Sequence, residues 1–147
     1  AAKAVAFKEA MSDKFKQDME QTLKNARKMA ETFISKGYQV VSGGTDSHLF
    51  LIDLSNKNIT GKEAEKLLDS VHITVNKNTV PNEKLSPFVT SGIRVGSPTI
   101  TTRGMKEKEA VLVVELMAKA IENKDNPQVL EEVKAQVIAL CKQFPLY

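Results

Sequence analysis

The sequence is poor in the residues that build disulfides and metal sites. Its 147 residues include one cysteine, two histidines and no tryptophan. A single cysteine, Cys141, excludes an internal disulfide and fits a reducing compartment, so we expect a cytoplasmic protein. Two isolated histidines and one cysteine do not assemble a metal centre by their spacing. No apolar run is long enough to span a bilayer, and we expect no membrane partner.

Charge and composition are those of an ordinary globular domain. The net charge is +3, with 41% hydrophobic and 27% charged residues. The basic residues are spread along the chain, whereas a nucleic-acid-binding protein typically clusters them on one stripe, so we expect no nucleic-acid partner. A chain of this length can bury roughly two thirds of its unfolded surface, which is enough for one core.

The first 36 residues are predicted to be helical. The opening A-A-K-A-V-A-F-K-E-A has helical propensity but no capping residue, as if the sequence began inside a helix, and we expect a fragment of a longer protein. Ser12 is a typical N-cap for a second helix that should end at Gly37. That second helix carries apolar residues at helical spacing, which predicts core packing. They are Phe15, Met19, Leu23, Ala26, Met29, Ala30 and Phe33.

Three more helices are predicted further along the chain. Thr60 and Glu63 form a capping-box pattern that opens a short helix over 61–70. A second begins at the K-E-K-E stretch that follows residue 104, and a third begins at Pro127, which suits the first helical position. Cys141 lies on the apolar side of this last helix, so we expect a buried structural thiol.

The strands are predicted between these helices. Residues 38–42 and 48–54 are separated by the turn residues G-G-T-D-S, which predicts an antiparallel hairpin. The second of these strands is apolar at nearly every position, so we expect it to be covered on both faces. Ile73 and Val75 alternate with polar residues and predict a third strand. The fourth strand contains Arg94.

The segment after this fourth strand is predicted to be irregular. Pro98 should end the strand, and residues 99–104 form a threonine-rich loop. The whole pattern predicts an α+β fold in which helices cover a small sheet.

The stretch T-S-G-I-R-V-G-S-P-T-I-T-T-R-G organises the chain. Successive strand residues point to opposite faces, so Ile93 and Val95 can face the core while Arg94 faces away from it. Gly92 and Gly96 on either side allow a ligand or another backbone to approach closely. A guanidinium placed in this way suits a bidentate contact with a small carboxylate. The alternative interpretation is an ordinary basic residue on the solvated face of a strand.

Other anion-binding and amide groups lie in the same part of the sequence. They are Asn78, the turn at Ser86, Pro87 and Phe88, and Arg103. Such a set can bind a carboxylate-bearing ligand, but it contains no group that would make or break bonds, so we assign no catalytic residue. His48, beside a turn, and His72, at a helix end, are predicted to be structural or solvated.

Four ordered blocks carry a resemblance to a known family. They are V-S-G-G-T-D-S-H-L, G-K-E-A-E, I-T-V-N-K-N-T-V-P and S-P-F-V-T-S-G-I-R-V-G-S-P-T-I-T-T-R-G. Together with the opening helix they closely resemble the C-terminal part of serine hydroxymethyltransferase, a fold-type I enzyme that uses pyridoxal phosphate (PLP). The resemblance covers essentially all 147 residues.

The resemblance implies a reaction and a set of binding residues. The family transfers the hydroxymethyl carbon of serine to tetrahydrofolate and leaves glycine. In it, the residue corresponding to Arg94 binds the α-carboxylate of serine or glycine, and the residue corresponding to Asn78 contacts folate. Ser86, Pro87 and Phe88 correspond to the turn that lines the folate site.

The resemblance also implies an organisation. Residues 1–36 correspond to an interdomain helical segment, and residues 37–147 to the C-terminal small domain of enzymes similar in fold to aspartate aminotransferase. The full-length enzymes are homodimers or homotetramers.

The sequence departs from the family in one important respect. It contains no T-T-T-x-H-K-T motif, which carries the lysine that binds PLP, and the other PLP-binding residues of the family lie upstream. We therefore predict that the isolated chain is inactive. Smaller departures are His72, where the family more often has glycine, and Ser97, where it often has threonine.

Two other interpretations remain open from the sequence. The isolated chain could act as an interaction or oligomerisation module through the helical surface that a missing domain would cover. It could also be an independent carboxylate-binding protein, an interpretation for which Arg94 is the only support.

Overall fold

The computed structural model describes residues 1–146, and Tyr147, the last residue of the predicted C-terminal domain, lies outside the described residues. Helices cover one face of a small sheet, which confirms the predicted α+β fold. The helices are α1 (Ala2–Ala10), α2 (Asp13–Ser35), α3 (Gly61–Ser70), α4 (Pro98–Thr102), α5 (Glu107–Glu122) and α6 (Pro127–Gln143). The strands are β1 (Gln39–Val40), β2 (Leu49–Asp53), β3 (Asn76–Asn78) and β4 (Gly92–Gly96).

Local capping signals set the helix ends where the sequence predicts them. The hydroxyl of Ser12 accepts a hydrogen bond from the Phe15 N–H at 3.2 Å and begins α2. Gly37, just after α2, has φ +76°, a left-handed conformation that glycine adopts without steric cost. The N–H of Thr60 donates to the Glu63 carboxylate at 2.8 Å, and the Glu63 N–H donates to the Thr60 hydroxyl at 3.2 Å. This is the predicted capping box of α3.

All strand pairs in the sheet are antiparallel, and the strand order is β1-β2-β4-β3. The pairing of β1 with β2 confirms the predicted hairpin. Burial along β2 alternates: Phe50 and Ile52 are buried, whereas Leu49 and Leu51 are half-buried. The expectation that β2 is covered on both faces was therefore wrong for the described residues, because the helices pack against only one face.

The third strand lies three residues later than predicted. Residues 71–73 end α3: the His72 N–H donates to Asp69 O and the Ile73 N–H donates to Leu68 O, both at 2.9 Å. This pattern, with His72 at φ +64°, is a Schellman motif, so these residues are not available for the sheet. His72 is thus a helix-end residue, as predicted.

The predicted loop at 99–104 is also partly wrong, because residues 98–102 form the short helix α4. Buried hydrogen bonds connect this segment to α2. The amide of Asn25 donates to Thr101 Oγ1 at 2.9 Å and to Met105 O at 3.0 Å. The hydroxyl of Ser97, which follows β4, donates to Thr22 O at 2.7 Å. These side chains join the middle of α2 to the end of β4.

The core lies between the inner face of the sheet and helices α2, α3, α5 and α6. Phe33 on α2 packs edge-to-face with Tyr38 and Phe50, at ring-centroid distances of 5.2 and 6.0 Å. Ile52 and Ile93 form the central cross-strand pair and are fully buried. The core is lined by a larger set of apolar residues that includes Met29, Leu54, Leu68, Val71, Val114, Met117 and Val133.

The apolar residues of α2 enter the core only in its second half. Ala26, Met29 and Phe33 are buried as predicted, but Phe15 and Met19 remain 39% and 38% exposed. Helix α1 has no buried residue. The buried residues of α2 lie only between Thr22 and Phe33, so the expectation that the whole stripe is core was wrong in the described residues. Cys141 is half-buried rather than buried.

None of the helices in residues 1–146 combines the length and the apolar character needed to cross a membrane.

Candidate functional site

The outer face of the sheet carries Arg94 at its centre. Ile93 and Val95 point into the core and are 0% and 4% exposed, whereas Arg94 between them is exposed, which confirms the predicted alternation. Arg94 lies directly opposite Leu51 on β2 and Asn76 on β3. Pairing on both sides fixes the backbone of Arg94, so its side chain starts from a rigid position.

The guanidinium of Arg94 is largely free to bind an anion. Its Nη2 donates to Asn76 Oδ1 at 3.3 Å, and within residues 1–146 it forms no salt bridge. A guanidinium has five N–H donors, so several remain for a ligand. Asn76 thus orients the side chain without neutralising its charge.

A shallow depression of about 370 Å³ surrounds Arg94. It is lined by His48, Leu49, Thr74, Val75, Asn76, Arg94, Gly96, Pro98 and Thr99. These residues supply one permanent positive charge, several neutral polar groups and no carboxylate. The arrangement suits a small anion such as an amino-acid carboxylate.

The two glycines beside Arg94 have different roles. A Cβ atom on Gly92 would lie 2.5 Å from Val80 Cγ1 and 2.6 Å from Ile52 O, so the close approach of other groups requires glycine there. A Cβ atom on Gly96 would meet its nearest neighbour, His48 O, at 3.4 Å, which is an ordinary contact. The prediction of close approach is confirmed at Gly92 but not at Gly96.

Asn78 lies on the same face of the sheet as Arg94. It pairs with Gly92, two residues from Arg94 along β4, which makes the two side chains diagonal neighbours. Its amide donates to Thr79 O at 2.7 Å, and its side chain is half-buried. The N–H of Lys77, between the two asparagines, donates to Glu65 on α3 at 2.9 Å and holds this edge strand in place.

The turn at Ser86, Pro87 and Phe88 projects from the loop that joins β3 to β4. All three residues are exposed, and Phe88 is 80% exposed. The Val89 N–H donates to Ser86 O at 2.9 Å and closes the turn. None of the three lines the depression around Arg94. The predicted site residues therefore form two groups: Arg94 with Asn78 on the sheet, and the separate exposed turn.

The C-terminal side of this turn is anchored to the first residues of α3. The N–H groups of Gly61 and Lys62 donate to Thr90 O and Val89 O, both at 2.9 Å. Thr90 is buried and has φ +60°, an unusual conformation for a β-branched residue. Strain of this kind persists where the surrounding structure over-determines it and is concentrated at functional sites.

Arg103 does not belong to this site. Its Nη1 donates to Phe144 O at 2.7 Å, beyond the end of α6. Together with Cys141 it lines a separate, mainly apolar cavity of about 300 Å³ on the other side of the sheet. Arg103 therefore stabilises the C-terminal end of α6.

Sequence reasoning missed three residues that shape the site. Asn76 orients Arg94, Gly61 makes room for the Gly92 carbonyl and the Thr90 hydroxyl, and Glu83 accepts hydrogen bonds from the loop that carries the exposed turn. Only the position of Asn76, two residues before Asn78 and therefore on the same face, was a usable signal.

Neither a lysine beside Arg94 nor a metal-binding cluster is found among the described residues. The depression around Arg94 contains no lysine that could hold PLP covalently. Within residues 1–146, no cluster of three or more histidine, cysteine, aspartate or glutamate side chains could hold a metal ion. The arrangement around Arg94 suits a small anion, and none of the residues that line it could attach PLP covalently.

Comparison with known proteins gives a consistent result. The family model described as "Serine hydroxymethyltransferase" matches residues 1–117. The proteins named serine hydroxymethyltransferase from Acinetobacter baumannii strains AYE and ACICU are each 55% identical over all 147 residues. This chain spans only 35% of the length of each of them.

Proposed function

The chain belongs to the serine hydroxymethyltransferase family, and we propose that it forms the C-terminal domain of an enzyme that converts serine and tetrahydrofolate to glycine and 5,10-methylenetetrahydrofolate. In this proposal residues 37–147 are the small domain, and residues 1–36 are the helical segment that connects it to the rest of a cytoplasmic homodimer or homotetramer. PLP would supply the electron sink for this chemistry, and residues outside this chain would hold it.

The observation that carries the proposal is the free guanidinium of Arg94 on a rigid strand. We assign to Arg94 the binding of the α-carboxylate of serine or glycine. A bidentate contact would fix the orientation of the amino acid, and orientation of the reacting bond is a large part of catalysis. Leu49 and Leu51, half-buried beside Arg94, would reduce the access of water to this contact.

We assign the folate site to Asn78 together with the exposed turn at Ser86, Pro87 and Phe88. The amide of Asn78 can donate to or accept from a pterin ring, and Phe88 offers an exposed aromatic face for stacking. Ser86 and Pro87 shape the turn that presents Phe88.

The isolated chain is proposed to be inactive. It provides a carboxylate-binding arginine, but no lysine lies beside it, and the T-T-T-x-H-K-T motif is absent from the 147 residues. A substrate held by Arg94 alone therefore has no partner for reaction.

The proposal is tested by a chimera. The matching segment of the Acinetobacter baumannii relative is replaced by this chain, and the product is purified with PLP. We expect tetrahydrofolate-dependent cleavage of serine by this chimera, loss of that activity with Arg94→Ala, and no activity from the chain alone. A folded, PLP-bound chimera that does not cleave serine would overturn the proposal.

A second candidate function is an interaction module. It is favoured by exposed apolar side chains on one end of the molecule: Val5, Phe7, Met11, Phe15 and Met19. Met11 is 81% exposed, and a patch of this kind promotes association. Light scattering decides: a concentration-dependent dimer that Phe7→Ser disrupts supports this function, and a monomer at high concentration excludes self-association.

A further inference from the structure

The base of the loop between β3 and β4 is closed by one carboxylate. Glu83 Oε2 accepts hydrogen bonds from the Ser91 N–H at 2.8 Å and from the Val80 N–H at 3.3 Å. Val80 follows β3 and Ser91 precedes β4. The carboxylate therefore joins the two ends of the loop across the sheet edge.

The same carboxylate also accepts hydrogen bonds from the limb that leads to the exposed turn, which consists of residues 81–85. Glu83 Oε1 accepts from the Ser91 hydroxyl at 2.6 Å, the Leu85 N–H at 2.9 Å and the Lys84 N–H at 3.0 Å. In the described structure, residues 81–85 are hydrogen-bonded through Glu83 alone, whose own N–H also donates to Val80 O at 3.1 Å. The next polar restraint among the described residues is at Ser86, whose carbonyl accepts hydrogen bonds from the Val89 and Thr90 N–H groups at 2.9 and 3.0 Å.

The opposite limb is held by a different element. Gly61 and Lys62 on α3 donate to the carbonyls of residues 89–90 and fix the side that returns to β4. The tip between the two limbs is exposed, with Phe88 at 80%. The direction in which Phe88 points thus depends on one limb fixed by α3 and one limb fixed by Glu83.

We propose that Glu83 is the positioning residue of the turn at Ser86, Pro87 and Phe88, and that it sets the affinity for a flat heteroaromatic co-substrate bound at that turn. The inference rests on the proposed function, in which that co-substrate is tetrahydrofolate. Glu83 touches no substrate itself. It acts by holding the loop in the conformation that presents Phe88.

The chemistry of the contact predicts which substitutions matter. A glutamine has the shape of glutamate, but it replaces one acceptor oxygen by an NH₂ donor and removes the charge. Five donors converge on this carboxylate, so Glu83→Gln leaves several of them without an acceptor. Ser91→Ala removes only the hydroxyl and serves as a second, milder variant.

The first measurement uses this chain and needs no substrate. Chymotrypsin cleaves after exposed aromatic residues, and cleavage after Phe88 reports the opening of the loop. We expect cleavage of Glu83→Gln to be roughly tenfold faster than that of the wild type, since the bonds it loses are to a charged acceptor. The control is Glu109→Gln, because Glu109 also accepts a backbone hydrogen bond, from the Lys106 N–H at 3.0 Å, but lies on α5. It should be cleaved at the wild-type rate.

The second measurement uses the chimera. We expect Glu83→Gln to raise the KM for tetrahydrofolate on the order of tenfold, with the KM for serine unchanged, because misplacement of a binding group weakens only the ligand it contacts. Glu83→Asp, which keeps the charge, should recover part of the affinity. A general loss of stability would change both KM values or neither.

The outcomes separate this inference from the function on which it rests. An inactive wild-type chimera that is folded and binds PLP overturns the proposed function, and the inference falls with it. An active wild-type chimera whose Glu83→Gln and Ser91→Ala variants keep the wild-type KM for tetrahydrofolate overturns the inference alone. Unchanged cleavage after Phe88 in both variants also overturns it.

Discussion

Asn76 and Arg94 lie directly opposite each other on adjacent antiparallel strands, and Arg94 Nη2 donates to Asn76 Oδ1 at 3.3 Å. A neutral partner directs the guanidinium and leaves its charge for a ligand. An acidic residue at position 76 would direct the Arg94 guanidinium equally well, but it would form an ion pair with it and so compete with a ligand. The identity of residue 76 is therefore as important to the proposed carboxylate site as that of residue 94.

Substitution of Asn76 by aspartate should weaken binding of an amino acid. The new carboxylate would form an exposed ion pair with Arg94 and compete with the substrate, raising the KM for serine in the chimera about two- to fivefold. Asn76→Ala, the control, removes the hydrogen bond without adding a competitor and should raise it less. The difference should shrink at high salt. Equal KM values for the two variants would contradict this prediction.

Removal of Arg94 should affect substrate binding but not folding. A charged contact of this kind contributes about 1.5–3 kcal/mol, so Arg94→Ala should raise the KM for serine roughly ten- to a hundredfold. Its thermal unfolding should match the wild type within about 0.5 kcal/mol, because the side chain is exposed. Arg27→Ala is the control: this exposed arginine pairs with Asp46 at 3.3 Å and should leave serine binding unchanged. A similar KM in both variants would exclude Arg94 from the site.

Alanine should lower stability at position 92 but not at position 96. A Cβ atom on Gly92 meets Val80 and a backbone carbonyl, so Gly92→Ala should lower the free energy of unfolding by about 1–3 kcal/mol. Gly96→Ala meets only ordinary contacts and should change it by less than about 0.5 kcal/mol. Urea denaturation of the isolated chain measures both. Equal stabilities would show that the sheet edge relaxes around the added methyl group.

Glycine at position 72 should stabilise the protein. His72 is exposed and holds a left-handed conformation at the end of α3, which costs a non-glycine residue about 1–2 kcal/mol. His72→Gly should therefore raise the melting temperature by roughly 3 °C. Lys66→Gly, in the middle of α3 and also exposed, should lower stability by about 1 kcal/mol. A lower melting temperature for His72→Gly would mean that the histidine ring makes a stabilising contact.

The loop held by Glu83 should be insensitive to pH until strongly acidic conditions. Hydrogen bonds from the Ser91 side chain and then from the Leu85 backbone lower the pKa of Glu83 from 4.5 to about 2. A carboxyl with a lowered pKa in the folded state stabilises the fold fully above its unfolded pKa, and this contribution is lost as pH falls through the folded value. The protection factors of the Leu85 and Ser91 amides, measured by NMR relative to the intrinsic exchange rate at each pH, should fall only below pH 4.5. A midpoint near 4.5, or the same fall in Glu83→Gln, would contradict this.

Features set by local chemistry were predictable from the sequence. The N-cap at Ser12, the capping box at Thr60 and the helix stop at Gly37 each depend on residues within one helical turn. The alternation around Arg94 also followed from strand geometry alone. At these positions the local preference and the final structure agree, so a short window of sequence is sufficient.

Features set by distant contacts were not predictable. The segment at Ile73 has strand-like alternation, but its backbone N–H is used to close α3, and the paired strand begins at Asn76. Helix α4 depends on the contact of Thr101 with Asn25, which is 76 residues away in sequence. The exposure of Phe15 depends on what packs against it. No window of neighbouring residues contains this information.

In the candidate site, too, some features follow from the local sequence and others depend on contacts that only the folded chain makes. Arg94 and Asn78 share a face because of strand periodicity, which the sequence contains. The role of Glu83 could not be predicted from the sequence, because an acidic residue in a polar loop is ordinarily solvated. Only the folded loop brings the N–H and hydroxyl donors of Ser91 to its carboxylate.

The buried contacts between α2 and the end of β4 make these two elements one mechanical unit. Asn25 and Thr22 are joined to Thr101 and Ser97 within 2.9 Å, and Ser97 immediately follows the strand of Arg94. These hydrogen bonds tie the end of β4, the strand from which Arg94 projects, to the middle of α2. We therefore expect a change in the position of α2 to be transmitted to the backbone of Arg94.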